Sequence, residues 1–282
     1  MKLIQLLSLI LLATSLSACS LFSRDEEKQE VPKAVEAAPP QETQPEPPQD
    51  HSHIQTSHEA HWSYEGETGP ENWGDLKPEY SLCKTGQNQS PIDLVFKKPQ
   101  TGRDIKTSFK NSAVKIIDNG HTIQVNFEPG NSIEIEGEKF NLLQAHFHSS
   151  SEHAIAGNLL PMEMHLVHKS DAGDLAVLGV ILIEGASHPI LESIWQSIPI
   201  QKGMEKEVSF TINPEDLIPR TRTYYNYSGS LTTPPCSEGV NWNVFNTPVT
   251  ISTEQIMAFR SLYPSNNRPL QPLGNRRTVN YR

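Results

Sequence analysis

Residues 144–153 read QAHFHSSSEH and place three histidines and a carboxylate within ten positions. Residues 162–168, MEMHLVH, add a glutamate and two further histidines. In a β-strand alternate side chains face the same way. On that geometry Gln144, His146 and His148 share one face, with Ala145 and Phe147 opposite. Glu163, His165 and Val167 likewise share a face, with Met164 and Leu166 opposite. If the two strands are near neighbours, His146, His148 and His165 converge without any loop having to be ordered. Three neutral imidazoles at ~2.0–2.1 Å leave one tetrahedral position of Zn²⁺ open, the arrangement of a catalytic rather than a structural site. Gln144 and Glu163 each precede a histidine by two residues on the same face, where they can accept the outer ring N–H and fix its tautomer. An isolated His-x-His is also what the wet face of an ordinary strand looks like, so the two strands must be argued from the rest of the chain.

Short segments rich in β-branched residues recur between turn signals at 113–117, 121–127, 132–135, 140–148, 162–168, 175–183, 208–212 and 241–249. This rhythm predicts a strand-dominated domain. Helical spacing occurs twice, at 189–198 and at 252–263, where Ser252 is positioned to cap. From His61 to Arg282 there is no repeat, linker or shift of composition, so this span reads as one domain.

The N-terminal sixty residues differ. Residues 1–18 form a lysine-led apolar run ending in small residues, the pattern of an export signal. The sequence Leu16-Ser17-Ala18-Cys19 resembles the lipobox of bacterial lipoproteins, which makes Cys19 the lipidated N-terminus and the mature protein membrane-anchored. Ser20 is not the acidic residue associated with inner-membrane retention, which points to the outer membrane. Residues 19–60 are rich in Pro, Glu and Gln and read as a disordered tether. Nine Asp and Glu against Arg24, Lys28 and Lys33 give this segment six of the ten net negative charges of the chain. His51, His53 and His58 near its end are solvated residues or a loose metal-recruiting cluster. No basic patch stands out, which argues against a nucleic-acid partner. With Cys19 assigned to lipid, Cys83 and Cys236 are a disulfide in an exported protein, or two free buried thiols. The sequence leaves the oligomeric state open, a homodimer being one option.

Several segments, in order along the chain, resemble the α-class carbonic anhydrases: HWSYEGETGPENW from His61, QSPIDL from Gln89, DNGHTIQV from Asp118, QAHFHSSSEH, MEMHLVHKS, LAVLGV from Leu175 and YSGSLTTPPCSEGVNW from Tyr227. The resemblance implies a mainly β (α+β) single domain with a large, twisted, mostly antiparallel central sheet, a few short peripheral helices and a zinc site at the base of a cavity. It implies reversible hydration of carbon dioxide to bicarbonate by attack of zinc-bound hydroxide. It makes His146, His148 and His165 the zinc ligands and Gln144 and Glu163 their outer partners. Thr232 becomes the residue that takes a hydrogen bond from the nucleophile and donates its own to Glu152. His121 becomes the proton shuttle, titrating near its ordinary value, with Tyr64, Asn119, Gln124 and Thr233 ordering water. Val167, Val177, Leu231 and Trp242 become the apolar wall for carbon dioxide, with Thr233 beside them. Cys83 and Cys236 match a disulfide of secreted members. Gln124, Asp118 and Ser149-Ser150 depart from the residues common in the family, which bears on proton transfer rather than on the reaction. His153 and His168 read as structural neighbours of the ligands.

Two other readings compete. A cupin would use His146, His148 and Glu152 together as ligands, but the second motif of that fold is missing. A non-catalytic binding module of the same fold would be expected to lack a ligand histidine, and here all three are present.

Overall fold

The computed structural model describes residues 61–282. The expected export signal, Cys19, the tether and His51, His53 and His58 lie outside the described residues. Among the described residues no helix is long and apolar enough to cross a membrane.

A twelve-stranded sheet organises the domain. Its centre is the antiparallel pair Glu138–His148 and Met162–Ser170, followed on one side by Leu175–Glu184. Most pairings are antiparallel. The exceptions in this sheet between named strands are the parallel pairings of Leu175–Glu184 with Glu238–Phe245 and with Val249–Ile251. The expected architecture is therefore present, with a mixed rather than uniform direction in the middle.

The period of two does the positioning. On one face Val114, Ile116, Val125, Ala145, Phe147, Met164, Leu166, Leu178 and Val180 are buried in one apolar cluster. The helices Pro189–Trp195 and Thr253–Leu262 cover it with Leu191, Ile194, Ile256 and Phe259. Ser252 and Gln255 close a reciprocal cap at the start of the second helix, which satisfies two otherwise orphaned N–H groups. The other face carries a second cluster that includes Val177, Val240 and Trp242 and runs up to the histidines.

Several segments differ from the sequence expectation. The run 241–249 is broken: a strand ends at Phe245 and another begins at Val249, because Pro248 has no N–H to donate to a ladder. The segment expected to begin at His121 starts at Ile123, which leaves His121 in the turn before it. The strand expected at 208–212 begins at Glu205. It lies at an edge with one hydrogen-bonded neighbour, so water receives Glu205, Lys206 and Glu207. The strand Tyr224–Ser230 was masked in sequence by its polar composition and its glycine.

Cys83 and Cys236 are joined, with an S–S distance of 2.07 Å across a sequence separation of 153. The reading as two free thiols is therefore excluded. Closing so long a loop is worth about 5 kcal/mol in the chain-entropy treatment. A Cys83→Ala/Cys236→Ala variant is expected to lose stability of that order, measured by urea unfolding as a lower midpoint with a steeper slope, because the unfolded chain, no longer cross-linked, exposes more surface.

Candidate metal centre

The register of the central pair brings the histidines together. His146 lies opposite His165, and His148 lies opposite Glu163. In each imidazole one ring nitrogen is occupied by an outward partner. His146 Nδ1 lies 2.8 Å from Gln144 Oε1, His148 Nδ1 lies 2.7 Å from the backbone oxygen of Asn266, and His165 Nε2 lies 2.9 Å from Glu163 Oε1. A backbone carbonyl can only accept, so His148 carries its proton on Nδ1. The same reasoning puts the His165 proton on Nε2, provided that Glu163 is ionised.

Glu163 is ionised. Burial alone would raise its pKa, but the contacts with His153 and His165 hold it well below the ordinary carboxylate range. Four N–H groups serve its two oxygens: the backbone of Glu152 at 2.9 Å and of His153 at 2.8 Å on Oε2, and the rings of His153 at 2.8 Å and His165 at 2.9 Å on Oε1. Gly179 sits opposite His165, and a Cβ there would lie 3.0 Å from Glu163 Oε1. The close approach of that strand therefore depends on the missing side chain.

The remaining nitrogens, His146 Nε2, His148 Nε2 and His165 Nδ1, point at one another. The atoms offered by the three residues all lie within 4.8 Å, and His146 Nε2 is 3.3 Å from His165 Nδ1. Ligand nitrogens on a tetrahedral Zn²⁺ at ~2.0–2.1 Å stand about 3.3–3.4 Å apart, the spacing of His146 Nε2 and His165 Nδ1. His148 Nε2 is moreover buried without a hydrogen-bond partner, a costly state for a polar atom unless something fills the space it faces. Burial, reinforced by the neighbouring imidazoles, lowers the pKa of His146 well below its ordinary value. Burial likewise lowers that of His148. Both are then neutral, as metal ligation requires.

A second trio, His153, Glu163 and His165, also lies within 4.8 Å. Its atoms are already engaged with one another, and His153 Nε2 is taken by Tyr227 Oη at 2.7 Å. It is a support for the first trio. A His153 ring that donates to Glu163 from Nδ1 can accept from Tyr227 at Nε2. Tyr227 is in turn 2.8 Å from Ser90 Oγ, which accepts from Ser230 N–H at 3.1 Å. His168 faces the opposite side of the sheet, with Nδ1 against the backbone oxygen of Leu166 at 2.9 Å, and burial pushes its pKa down to about 3. Both histidines are structural, but His153 acts on the site through Glu163.

Glu152 is fully buried. Its Oε1 accepts from Arg268 N–H at 2.9 Å, while Oε2 has no partner and lies 3.6 Å from His148 Nε2 and 3.9 Å from His165 Nδ1. The expected hydrogen bond from Thr232 is not made in this structure.

Two small cavities meet at the histidines. One, of about 110 Å³, is lined by Gln144, His146, His165, Val167, Val177, Leu231, Thr232, Thr233 and Trp242. The indole N–H of Trp242 is used on the backbone oxygen of Ser230 at 2.9 Å, which leaves the ring as an apolar surface. The other, of about 130 Å³, is lined by Trp62, Tyr64, Asn119, His121, Thr122, Gln124, Gln144, His146, His148 and Thr233. Every residue expected to form the apolar wall or to order water is thus found in one of the two. His121 departs from expectation in its acidity. Its ring stacks on Trp62 at 3.7 Å between centroids, and burial, with His61 and Lys202 nearby, lowers its pKa to about 4. Asn266, Arg268, Tyr227 and Ser90 were not singled out in the sequence. The two that follow residue 263 lie in a stretch without regular structure, where no periodicity marks them.

Residues 68–282 match the family model described as eukaryotic-type carbonic anhydrase. A carbonic anhydrase of Nostoc sp. is 44% identical over 226 residues, covering 78% of this chain and 86% of that protein. One from Pectobacterium carotovorum is 45% identical over 218 residues, covering 77% and 89%. The solved α-carbonic anhydrase of Thermovibrio ammonificans, in complex with the inhibitor sulfanilamide, superposes with a TM-score of 0.75 at 44% identity, covering 78% of this chain and 98% of that one.

Removing the outer partner of a ligating imidazole typically costs ~10–100-fold in metal affinity. Glu163→Gln is expected to raise the zinc dissociation constant by about that factor, measured by competition with a chromogenic chelator.

Proposed function

Because the chain belongs to the eukaryotic-type, α-class carbonic anhydrase family, we propose that it catalyses the zinc-dependent interconversion of carbon dioxide and bicarbonate through His146, His148 and His165. The observation that carries this reading is the convergence of three imidazole nitrogens whose opposite nitrogens are all occupied. A Zn²⁺ ion held there would supply a nucleophile from water near neutral pH, an effect for which this family is the standard illustration.

The chain's own residues do the rest. Gln144, Asn266 and Glu163 hold the three rings in the tautomers that face inward. In the proposed role the Thr232 hydroxyl donates to Glu152, whose Oε2 is the oxygen without a partner, so that its own oxygen is presented to the nucleophile. Val167, Val177, Leu231 and Trp242 offer carbon dioxide, which carries no charge, a surface it does not have to desolvate a polar group to occupy. Bicarbonate, charged, has no such match and is released.

One proton must leave per turnover, and His121 is the group placed to relay it. Burial, with the charge of Glu152, raises the Tyr64 hydroxyl pKa well above its ordinary value. It therefore stays protonated and can orient water together with Asn119, Gln124 and Thr233. In its stacked pose His121 accepts a proton reluctantly, because burial lowers its pKa to about 4. The relay is then a passing step, not a store.

We also propose that Cys19 carries lipid and holds the domain at a bacterial membrane, supported by the lipobox-like sequence and the tether-like composition of residues 19–60.

Stopped-flow hydration of carbon dioxide, with zinc content measured on the same sample, tests the reaction. A zinc-dependent acceleration is expected, and His165→Ala should fall to background; a His165→Ala protein as fast as the parent would overturn the proposal. His121→Ala should slow turnover in weak buffer at least about 10-fold, less than the ~10²–10⁴ of direct proton transfer because water remains. Added imidazole should restore it. Cys19→Ala should move the protein from the membrane to the soluble fraction.

A further inference from the structure

Asn266 is 1% exposed, and each of its hydrogen-bonding groups is engaged. Its backbone joins Ser149 and His148: N–H to the Ser149 oxygen at 3.1 Å, and the carbonyl to His148 Nδ1 at 2.7 Å. Its side chain does something different. Oδ1 accepts from Ser149 N–H at 2.8 Å, while Nδ2 donates to the Phe147 oxygen at 2.9 Å and to the His121 oxygen at 3.0 Å. One amide therefore ties the end of the metal-bearing strand to the turn that carries His121.

Other bonds hold the start of that turn: Gly120 N–H donates to Asp118 Oδ1 at 3.0 Å, Tyr263 Oη donates to the same oxygen, and the Asp118 carbonyl accepts from Gly203 N–H at 2.6 Å. His121 and Thr122 donate their backbone N–H groups to Asn119 Oδ1, both at 2.9 Å, which shapes the turn without fixing it to the sheet. Thr122 Oγ1 reaches the Phe147 oxygen at 2.6 Å and secures the start of the following strand. The carbonyl of His121 itself is held by Asn266, and its ring by stacking on Trp62.

We propose that the Asn266 side chain is a positioning residue for proton relay, holding the His121 backbone at a set distance from the His148 ligand. The proposal rests on the reading of His121 as the relay. A relay through water depends on a path of constant length, and displacements of the order of 1 Å are enough to cost up to ~10²-fold in rate. The Asn266 carbonyl that supports His148 belongs to the backbone and survives a side-chain substitution, so the two duties of this residue can be separated.

The test is Asn266→Ala in the full chain, with Asn266→Ser read the same way should the alanine variant not fold. Two measurements are made. Ring-proton chemical shifts of His121, which report its stacking on Trp62, are recorded by NMR with and without zinc. Steady-state kinetics are recorded in weak buffer and in added imidazole. The His121 resonances are expected to move in both metal states. The kcat in weak buffer should fall about five- to tenfold further than kcat/KM, and imidazole should restore it. Unmoved His121 resonances, or kcat and kcat/KM falling together, would overturn the proposal. If His121→Ala is slowed but Asn266→Ala is not, only this proposal fails. If neither is slowed, the relay reading fails and takes this one with it.

Discussion

A fully buried carboxylate, Glu163, is the interaction on which the site depends. Taking an ionised carboxylate out of water is very costly unless its oxygens are hydrogen-bonded. Here two backbone and two imidazole N–H groups meet that requirement. Each of those donors is then committed in direction. The backbone of Glu152 and His153 is pulled beneath the metal-bearing strands, and the Glu152 side chain arrives beside His148 and His165. The His165 proton is held on Nε2, which frees Nδ1 for the centre of the site. The His153 proton is held on Nδ1, which aligns Tyr227 and Ser90 behind it. Both the charge and the tautomers follow from one buried group.

The sheet makes this economy possible. Successive residues of Glu138–His148 and Met162–Ser170 alternate between a dry core and the polar site. Phe147 and Met164 anchor the strands while His146, His148 and His165 face the cavity. Ligands on hydrogen-bonded strands, unlike ligands on loops, share the rigidity of the ladder. The apolar wall has the same origin. Val177 and Trp242 are paired across neighbouring strands and belong to the cluster on the site's face.

The histidine proposed as the relay is treated differently. His121 stands in a turn, not on a strand, and its ring is held by Trp62, close to His61 and Lys202. Stacking and desolvation give the ring a defined place but weaken its hold on a proton. The proposed metal ligands and the proposed relay thus share one physical cause, burial, with opposite value. For His146 and His148 a low pKa keeps the lone pairs available, while for His121 it limits how long a proton can stay.

Much of the site was legible in the sequence, because side-chain alternation is a local property. The spacing of His146 and His148, the matching Gln144 and Glu163, and the capped helix after Ser252 needed no knowledge of the fold. The resemblance of the motifs added Glu152, Thr232, His121 and the wall. What the sequence alone could not supply depended on contacts between distant segments. Register decided that His146 faces His165. Asn266 and Arg268, from an irregular stretch with no periodic signal, reach His148, His121 and Glu152 only once the chain is folded. The acidity of His121 was also invisible, since a pKa belongs to an environment and not to a residue type. Sequence determined which residues could act and which faces they share. Tertiary structure decided which nitrogens are free and which proton each ring carries, because those are set by partners that chain order does not bring together.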